Sequence, residues 1–152
     1  MTPGELVARH ARIALDANVF IYLLEDDPAR RDVVGELLDA LAGSGRRACF
    51  ASIGLAEVLA GPVRRGDPAT VERIADEILA LECVTVEPLT AEVAVDAAVI
   101  RGRRSITLDD AIHLATARAA GSTAFVTNDR RLRSAPNLAV VYLDRLSREG
   151  QG

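Results

Sequence analysis

Short apolar segments alternate along the chain with longer segments in which apolar residues recur with a helical period. The apolar segments predict five strands, at 12–15, 48–51, 84–86, 124–126 and 139–143. The helical pattern predicts helices over 18–24, from 28 to a turn at 43–45, from an N-cap at Ser52 to 61–62, and over 68–81, 90–100 and 107–120. A short helix is also expected from about residue 129.

This alternation of strand and helix predicts an α/β fold, with parallel strands and helices on both faces. The expected architecture is a three-layer α/β/α sandwich with a short, mainly parallel central sheet. The chain has 152 residues, which predicts a single domain with its core at about 12–146 and a flexible tail at 147–152. In open sheets of this kind, ligands bind beyond the carboxyl ends of the strands.

Composition narrows the class of protein. Apolar residues make up 49% of the chain and charged residues 26%, which excludes a disordered or collagen-like chain. The longest stretches without a charged residue, 119–128 and 134–143, span ten residues each, about half of the roughly 20 that a membrane helix needs. The N-terminal residues also lack the apolar core of a signal peptide, so we expect a cytoplasmic protein without a membrane span.

Charge and cysteine content bear on the partners of the protein. The net charge of −4 argues against binding to nucleic acid by bulk electrostatics, but all 18 basic residues are arginine and many are clustered. A guanidinium binds phosphate well because its planar fork matches the phosphate oxygens. Cys49 and Cys83 lack a CxxC spacing and a nearby metal-binding pattern, so we expect plain core thiols.

Two acidic residues directly follow predicted strands. Asp16 comes after the first strand in RIALDANVF, and Asp129 comes after AFVT in AFVTNDRRL. Each is explained equally well as a helix cap or as a functional residue at the carboxyl edge of the sheet.

Two further acids lie on predicted helices. Glu57 interrupts the apolar helix SIGLAEVLAG, where it either marks the solvent-facing side or requires a partner or a cation. Asp110 stands in the first turn of SITLDDAIHLATA, where Thr107 and Asp110 have the spacing of a capping box. Its neighbour Asp109 is an alternative, but Asp110 lies at the edge of the predicted buried face.

If these four acids converge, their mutual repulsion must be compensated. Two like charges about 4 Å apart cost on the order of 4 kcal/mol at an effective dielectric of about 20. A whole domain is stable by only about 5–15 kcal/mol. Protonation or a divalent cation is therefore required, and an all-carboxylate site suits Mg²⁺ or Mn²⁺ better than zinc.

The chain resembles PIN-domain ribonucleases, and most closely the toxin component of VapBC-type toxin–antitoxin systems. The resemblance extends from about 13 to 143 and rests on four motifs in order: LDANVFIYLLE, ASIGLAEVLAGP, TLDDAIHLATA and FVTNDRRL. It implies a Mg²⁺- or Mn²⁺-dependent endoribonuclease that is held inactive by a small antitoxin and forms a homodimer. The metal-binding and catalytic positions are implied to be Asp16, Glu57, Asp110 and Asp129, with Asn18 and Thr127 supporting them.

Other polar residues near these motifs have simpler explanations or accessory roles. Arg130, Arg131 and Arg133 directly follow the last acid and are the first candidates for RNA binding. His113, three residues after Asp110, is better explained as a buried residue on a helix face.

Two alternative functions stay open at this stage. One is a non-catalytic binding or regulatory module on the same fold, in which the acids bind only a partner's arginine. The other is a phosphohydrolase of the haloacid dehalogenase type, which also begins with an Asp after the first strand. The second alternative is weaker, because that class needs a second Asp at the position of Asn18 and a lysine, and the chain contains no lysine.

Overall fold

The central element of the fold is a five-stranded parallel sheet with the strand order β3-β2-β1-β4-β5. The computed structural model describes residues 1–148 and 150. The strands are β1 (Ile13–Leu15), β2 (Ala48–Ala51), β3 (Val84–Glu87), β4 (Ala124–Thr127) and β5 (Ala139–Tyr142). In register, Leu15 pairs with Val126 across β1 and β4, so these two central strands end at the same edge.

Seven α-helices cover this sheet within the described residues. They are α1 (Pro3–Arg9), α2 (Ala17–Leu24), α3 (Pro28–Gly43), α4 (Ser52–Arg64), α5 (Pro68–Leu79), α6 (Ala91–Arg103) and α7 (Leu108–Ala119). Five of these helices begin at a side-chain cap that is a threonine or is followed by a proline: Thr2 caps α1, Asp27 caps α3, Asp67 caps α5, Thr90 caps α6 and Thr107 caps α7.

Strand residues alternate between two apolar cores, one on each face of the sheet. Leu15, Phe50 and Val126 belong to the core that α1 to α5 cover. Cys49 and Phe125 belong to the opposite core, against α6 and α7. The predicted three-layer α/β/α sandwich is therefore confirmed.

The structure corrects four details of the predicted elements. Residues after Asp129 form a turn at 130–131 instead of a short helix. Ser52 is the first helical residue of α4 and Ala51 is the cap, without a side-chain hydrogen bond. The same helix continues through Pro62 to Arg64, beyond its expected end. The sequence analysis also missed α1, although Thr2 and Glu5 form a complete capping box at its start.

The remaining predictions concern thiols, membranes and the tail. Cys49 and Cys83 are buried free thiols, and burial raises the pKa of Cys49 to about 12, as expected for unreactive core residues. In the part of the chain that the structure describes, no helix is long and apolar enough to cross a bilayer. The tail expected to be flexible falls partly outside the described residues, at 149, 151 and 152.

Candidate active site

The carboxyl edge of β1 and β4 positions the first part of the candidate site. Asp16 follows β1 and caps α2, and its Oδ1 accepts a hydrogen bond from the Ala17 amide at 2.7 Å. Its Oδ2 accepts from the Thr127 hydroxyl at 2.5 Å and from Asn18 Nδ2 at 3.0 Å. The Thr127 hydroxyl in turn accepts from the Asp129 amide at 2.9 Å. Thr127, the last residue of β4, thus links the two acids that follow the strands.

Glu57 reaches the same region from α4 through a histidine. Its Oε1 lies 2.6 Å from Nε2 of His113, which projects from α7 and is only 2% exposed. The same Nε2 lies 3.8 Å from Oδ1 of Asp16. His113 therefore stands between two of the predicted acids, which explains how Glu57 can lie in an otherwise apolar helix.

Asp110 and Asp129 meet at a guanidinium. Arg131 Nε donates to both carboxylate oxygens of Asp129 at 3.0 Å, and its Nη2 lies 2.5 Å from Oδ2. The same Nη2 lies 3.5 Å from Oδ2 of Asp110. One continuous set of contacts therefore connects Asp16, Glu57, Asp110 and Asp129, which come from four separate segments of the chain.

The electrostatics of these acids differ. Burial raises the pKa of Asp16, which is 7% exposed, against the opposing effects of His113 and Thr127. Burial also raises the pKa of Asp110, which is 8% exposed, and the charges of Asp129 and Asp109 add to that effect. The hydrogen bonds from Arg131 instead lower the pKa of Asp129. The site thus contains two carboxyls, Asp16 and Asp110, for which burial outweighs the nearby positive groups, and one, Asp129, whose charge Arg131 stabilises.

His113 and Arg131 are the two residues whose contacts with the acids sequence reasoning missed. The predicted burial of His113 on its helix face is confirmed, since it is 2% exposed on α7. Burial alone would lower the pKa of His113, but the hydrogen bond to Glu57 and the charge of Asp16 raise it overall. A signal was present, since His113 lies three residues after Asp110 and therefore shares a helix face with it. Arg131 was expected to bind RNA, whereas the structure places it on the acids.

The structure also addresses the alternatives for individual acids. Asp109 hydrogen-bonds to Thr107, which lowers the pKa of Asp109, whereas Asp110 faces Arg131. Thr107 accepts a hydrogen bond from the Asp110 amide at 3.3 Å, so the capping contact exists in addition to the site contact. Asp16 likewise caps α2 and also faces the other acids, so the capping role and the functional role considered for this residue are compatible.

The other two candidate arginines lie away from the carboxylates. Arg130 packs over the ring of Tyr142 at 4.3 Å and pairs with Asp144 at 3.6 Å. Arg133 is exposed, and its carbonyl oxygen accepts a hydrogen bond from Arg104. Both follow Asp129 closely in the chain, but the contacts that join the four acids do not include them.

The donor set fits a hard divalent cation, although the side chains do not already form a coordination shell. Among residues 1–148 and 150, no group of three or more Asp, Glu, His or Cys side chains is arranged to hold a metal ion. Glu57 is bonded to His113, and Arg131 lies against Asp129 and Asp110. However, Oδ2 of Asp110 is buried and makes no hydrogen bond, and its ion pair with Arg131 Nη2 at 3.5 Å is one that a hard cation could replace.

Several solved structures are similar to this chain over most of its length. FitAB bound to the IR36 DNA fragment is 25% identical, with a TM-score of 0.67 over 90% of this chain and 99% of that chain. VapBC2 from Rickettsia felis, bound to a promoter DNA fragment, is 18% identical, with a TM-score of 0.67 over 86% and 98%. VapC20 from Mycobacterium tuberculosis, a toxin that cleaves the sarcin–ricin loop, is 21% identical, with a TM-score of 0.57 over 74% and 86%.

Sequence comparison gives the family. No curated protein matches the chain. The family model of the PIN domain matches residues 13–138, a range that contains β1 to β4 and all four acids of the site. This match removes the haloacid dehalogenase alternative, and the chain belongs to the PIN domain family.

Proposed function

We propose that this protein is a Mg²⁺- or Mn²⁺-dependent endoribonuclease of the toxin–antitoxin type, which hydrolyses phosphodiester bonds in RNA. The observation that carries the proposal is the single contact network that joins Asp16, Glu57, Asp110 and Asp129 at the carboxyl edge of the sheet. Neighbouring carboxylates repel one another, and a divalent cation bound between them would offset that repulsion.

Asp16, Glu57, Asp110 and Asp129 would hold the metal. The bound ion would supply Lewis-acid polarisation of a phosphate oxygen and lower the pKa of a water molecule. The chain's own contribution is positioning, because the Thr127 hydroxyl and the Asn18 amide fix one oxygen of Asp16. This chemistry requires no serine or cysteine nucleophile.

Arginines near the acids are suited to hold the RNA backbone. Arg131 has an exposed side chain, so a cation that displaced it from Asp129 would free its guanidinium for a phosphate. Arg133 and Arg130 are also exposed and follow the same turn. With three Phe, two Tyr and no Trp in the chain, we expect phosphate contacts and RNA shape to contribute more than base stacking.

An antitoxin partner is supported by the similarity of the chain to solved toxin–antitoxin complexes, and the electrostatics of the site agree with it. The contact of Arg131 with Asp129 and Asp110 supports the idea that a guanidinium can replace the charge of the cation. We propose that a small antitoxin inhibits the enzyme by presenting an arginine to these acids, and that the toxin forms a homodimer. The Arg131 contact also favours a second candidate function, a non-catalytic module whose acids bind only a partner's arginine.

RNA cleavage distinguishes the two functions. The purified protein is incubated with a structured RNA and Mn²⁺, with and without EDTA, beside an Asp16→Asn variant. Asp67→Asn is the matched control, because this acid caps the remote helix α5 and Asn caps a helix as well as Asp does. We expect cleavage by wild type and Asp67→Asn only, and only without EDTA. Equal cleavage in all lanes indicates a contaminating nuclease, and no cleavage by the wild type favours the binding module.

A further inference from the structure

We propose that His113 is a positioning residue that orients the Glu57 carboxylate toward the cation site. This inference rests on the proposed metal-dependent function and assigns a role to a residue outside the four acids. Nε2 of His113 lies 2.6 Å from Oε1 of Glu57, which is hydrogen-bonding distance. The bond uses one carboxylate oxygen, so the other oxygen is available to bind a cation.

The position of Glu57 explains why it needs such a partner. Its side chain is 35% exposed and extends from the middle of α4, whereas Asp16 is fixed by backbone and side-chain bonds at the end of β1. A glutamate has three rotatable bonds before its carboxylate, so holding it in one place has an entropic cost. A hydrogen bond from a rigid donor fixes the Glu57 carboxylate in advance, so less side-chain entropy is lost when a cation binds.

His113 is itself held firmly enough to act as that donor. Its ring is 2% exposed and makes an edge contact with Phe125 at a centroid distance of 6.2 Å. On the other side, α4 approaches closely at Gly54, where an added Cβ would lie 2.9 Å from Cε1 of His113 and 2.5 Å from Cε2 of Phe50. The absence of a side chain at Gly54 therefore makes room for the ring, one helical turn before Glu57.

The arrangement has the form of an outer-sphere contact at a metal site. Groups that hydrogen-bond to metal-binding side chains orient them, and their loss typically weakens metal binding or activity by about 10–100-fold. His113 also lies 3.8 Å from Oδ1 of Asp16, so one ring faces two of the proposed metal-binding carboxylates. The geometry thus couples α4 and α7 to the end of β1.

A matched pair of variants tests this role. His113→Gln keeps an N–H donor near the position of Nε2, and His113→Met has nearly the same length and volume without a donor. Mn²⁺ affinity is measured by calorimetry on the intact protein, and RNA cleavage is measured in parallel. We expect His113→Met to bind Mn²⁺ about 10–100-fold more weakly than the wild type, and His113→Gln to recover most of that loss.

Controls separate positioning from a general loss of structure. His10→Met makes the same change at the other histidine, which contacts Thr123 before β4 at the opposite edge of the sheet, and we expect no change in affinity. Thermal unfolding checks that each variant is folded, and His113→Leu replaces His113→Met if the latter is not. Unchanged Mn²⁺ affinity in the donor-free variant, or equal losses with Gln and Met, overturns the inference alone. A wild-type protein that binds no Mn²⁺ overturns the proposed function and this inference together.

Discussion

Replacing Thr127 by valine tests whether the hydroxyl between Asp16 and Asp129 holds the site together. Thr127 is fully buried, donates to Asp16 Oδ2 at 2.5 Å and accepts from the Asp129 amide at 2.9 Å. Valine has nearly the same shape and favours a strand at least as well, so the substitution removes these bonds without creating a cavity.

The expected loss is worked from those two bonds, because Asn18 Nδ2, which also donates to the Thr127 hydroxyl at 3.1 Å, keeps its bond to Asp16. A hydrogen bond to a charged group contributes about 1.5–3 kcal/mol, and an amide left without an acceptor adds a cost of about 1 kcal/mol or more. Asp129 is only half-buried, so water can replace part of the second bond. We therefore expect Thr127→Val to lower the free energy of unfolding by about 2–4 kcal/mol. For a domain of this size the Tm falls by roughly 5–15 °C.

Thermal and urea unfolding of the metal-free protein measure this loss. Thr116→Val is the matched control, because Thr116 is also a buried threonine, but its hydroxyl donates only to the Ile112 carbonyl of its own helix. We expect the control to change stability by less than about 1 kcal/mol. The reasoning is refuted if Thr127→Val is as stable as Thr116→Val.

Four further predictions concern the charges and the packing of the site. At pH 7 without metal, Asp110→Asn raises the Tm. Burial raises the pKa of Asp110 above the ordinary 3.8, so stability is lost as the pH rises and the buried carboxyl becomes charged, and the amide avoids that loss. Asp129→Asn lowers the Tm, since the pKa of Asp129 lies below 3.8 and the stability that its charged form contributes is lost only as the pH falls through the folded-state pKa. The Tm differences of both variants from the wild type disappear in acid. Tm shifts of the same sign for the two variants at pH 7 would contradict this reasoning. Arg131→Gln tightens Mn²⁺ binding in a calorimetric titration, because the guanidinium no longer competes for the carboxylates, and weaker binding argues against that competition. Gly54→Ala lowers the free energy of unfolding in urea by about 1–3 kcal/mol, because the added Cβ would lie 2.5 Å from the Phe50 ring. This loss outweighs the higher helix propensity of alanine. A variant more stable than the wild type would contradict the close packing at Gly54.

The sheet and most helices were predictable because local signals and long-range packing agree. β1, β2 and β4 are short and apolar, since both of their faces are covered, and prolines or threonines mark the starts of several helices. The turn after Asp129 was not predictable in the same way. Asp129 Oδ1 accepts from the Arg131 amide at 2.9 Å, which closes a local turn that competes with a helix start.

The positions of Asp16 and Asp129 could be predicted from the order of strands and helices, those of Glu57 and Asp110 were implied by the family resemblance, and the partners of these acids could not be predicted. Asp16 and Asp129 follow neighbouring parallel strands, which brings them to one edge of the sheet whatever their side-chain contacts are. The pairing of Glu57 with His113 depends on how closely α4 approaches α7, and no local sequence pattern specifies that distance. The contact of Arg131 with Asp110 likewise depends on side-chain geometry across segments far apart in the chain.

A crystal structure determined with Mn²⁺, in which anomalous scattering locates the ion, tests the central claim most directly. The account predicts an anomalous peak bounded by the carboxylates of Asp16, Glu57, Asp110 and Asp129, with the guanidinium of Arg131 withdrawn from its metal-free position. A peak at another part of the surface, or none at these carboxylates at a saturating Mn²⁺ concentration, would contradict it.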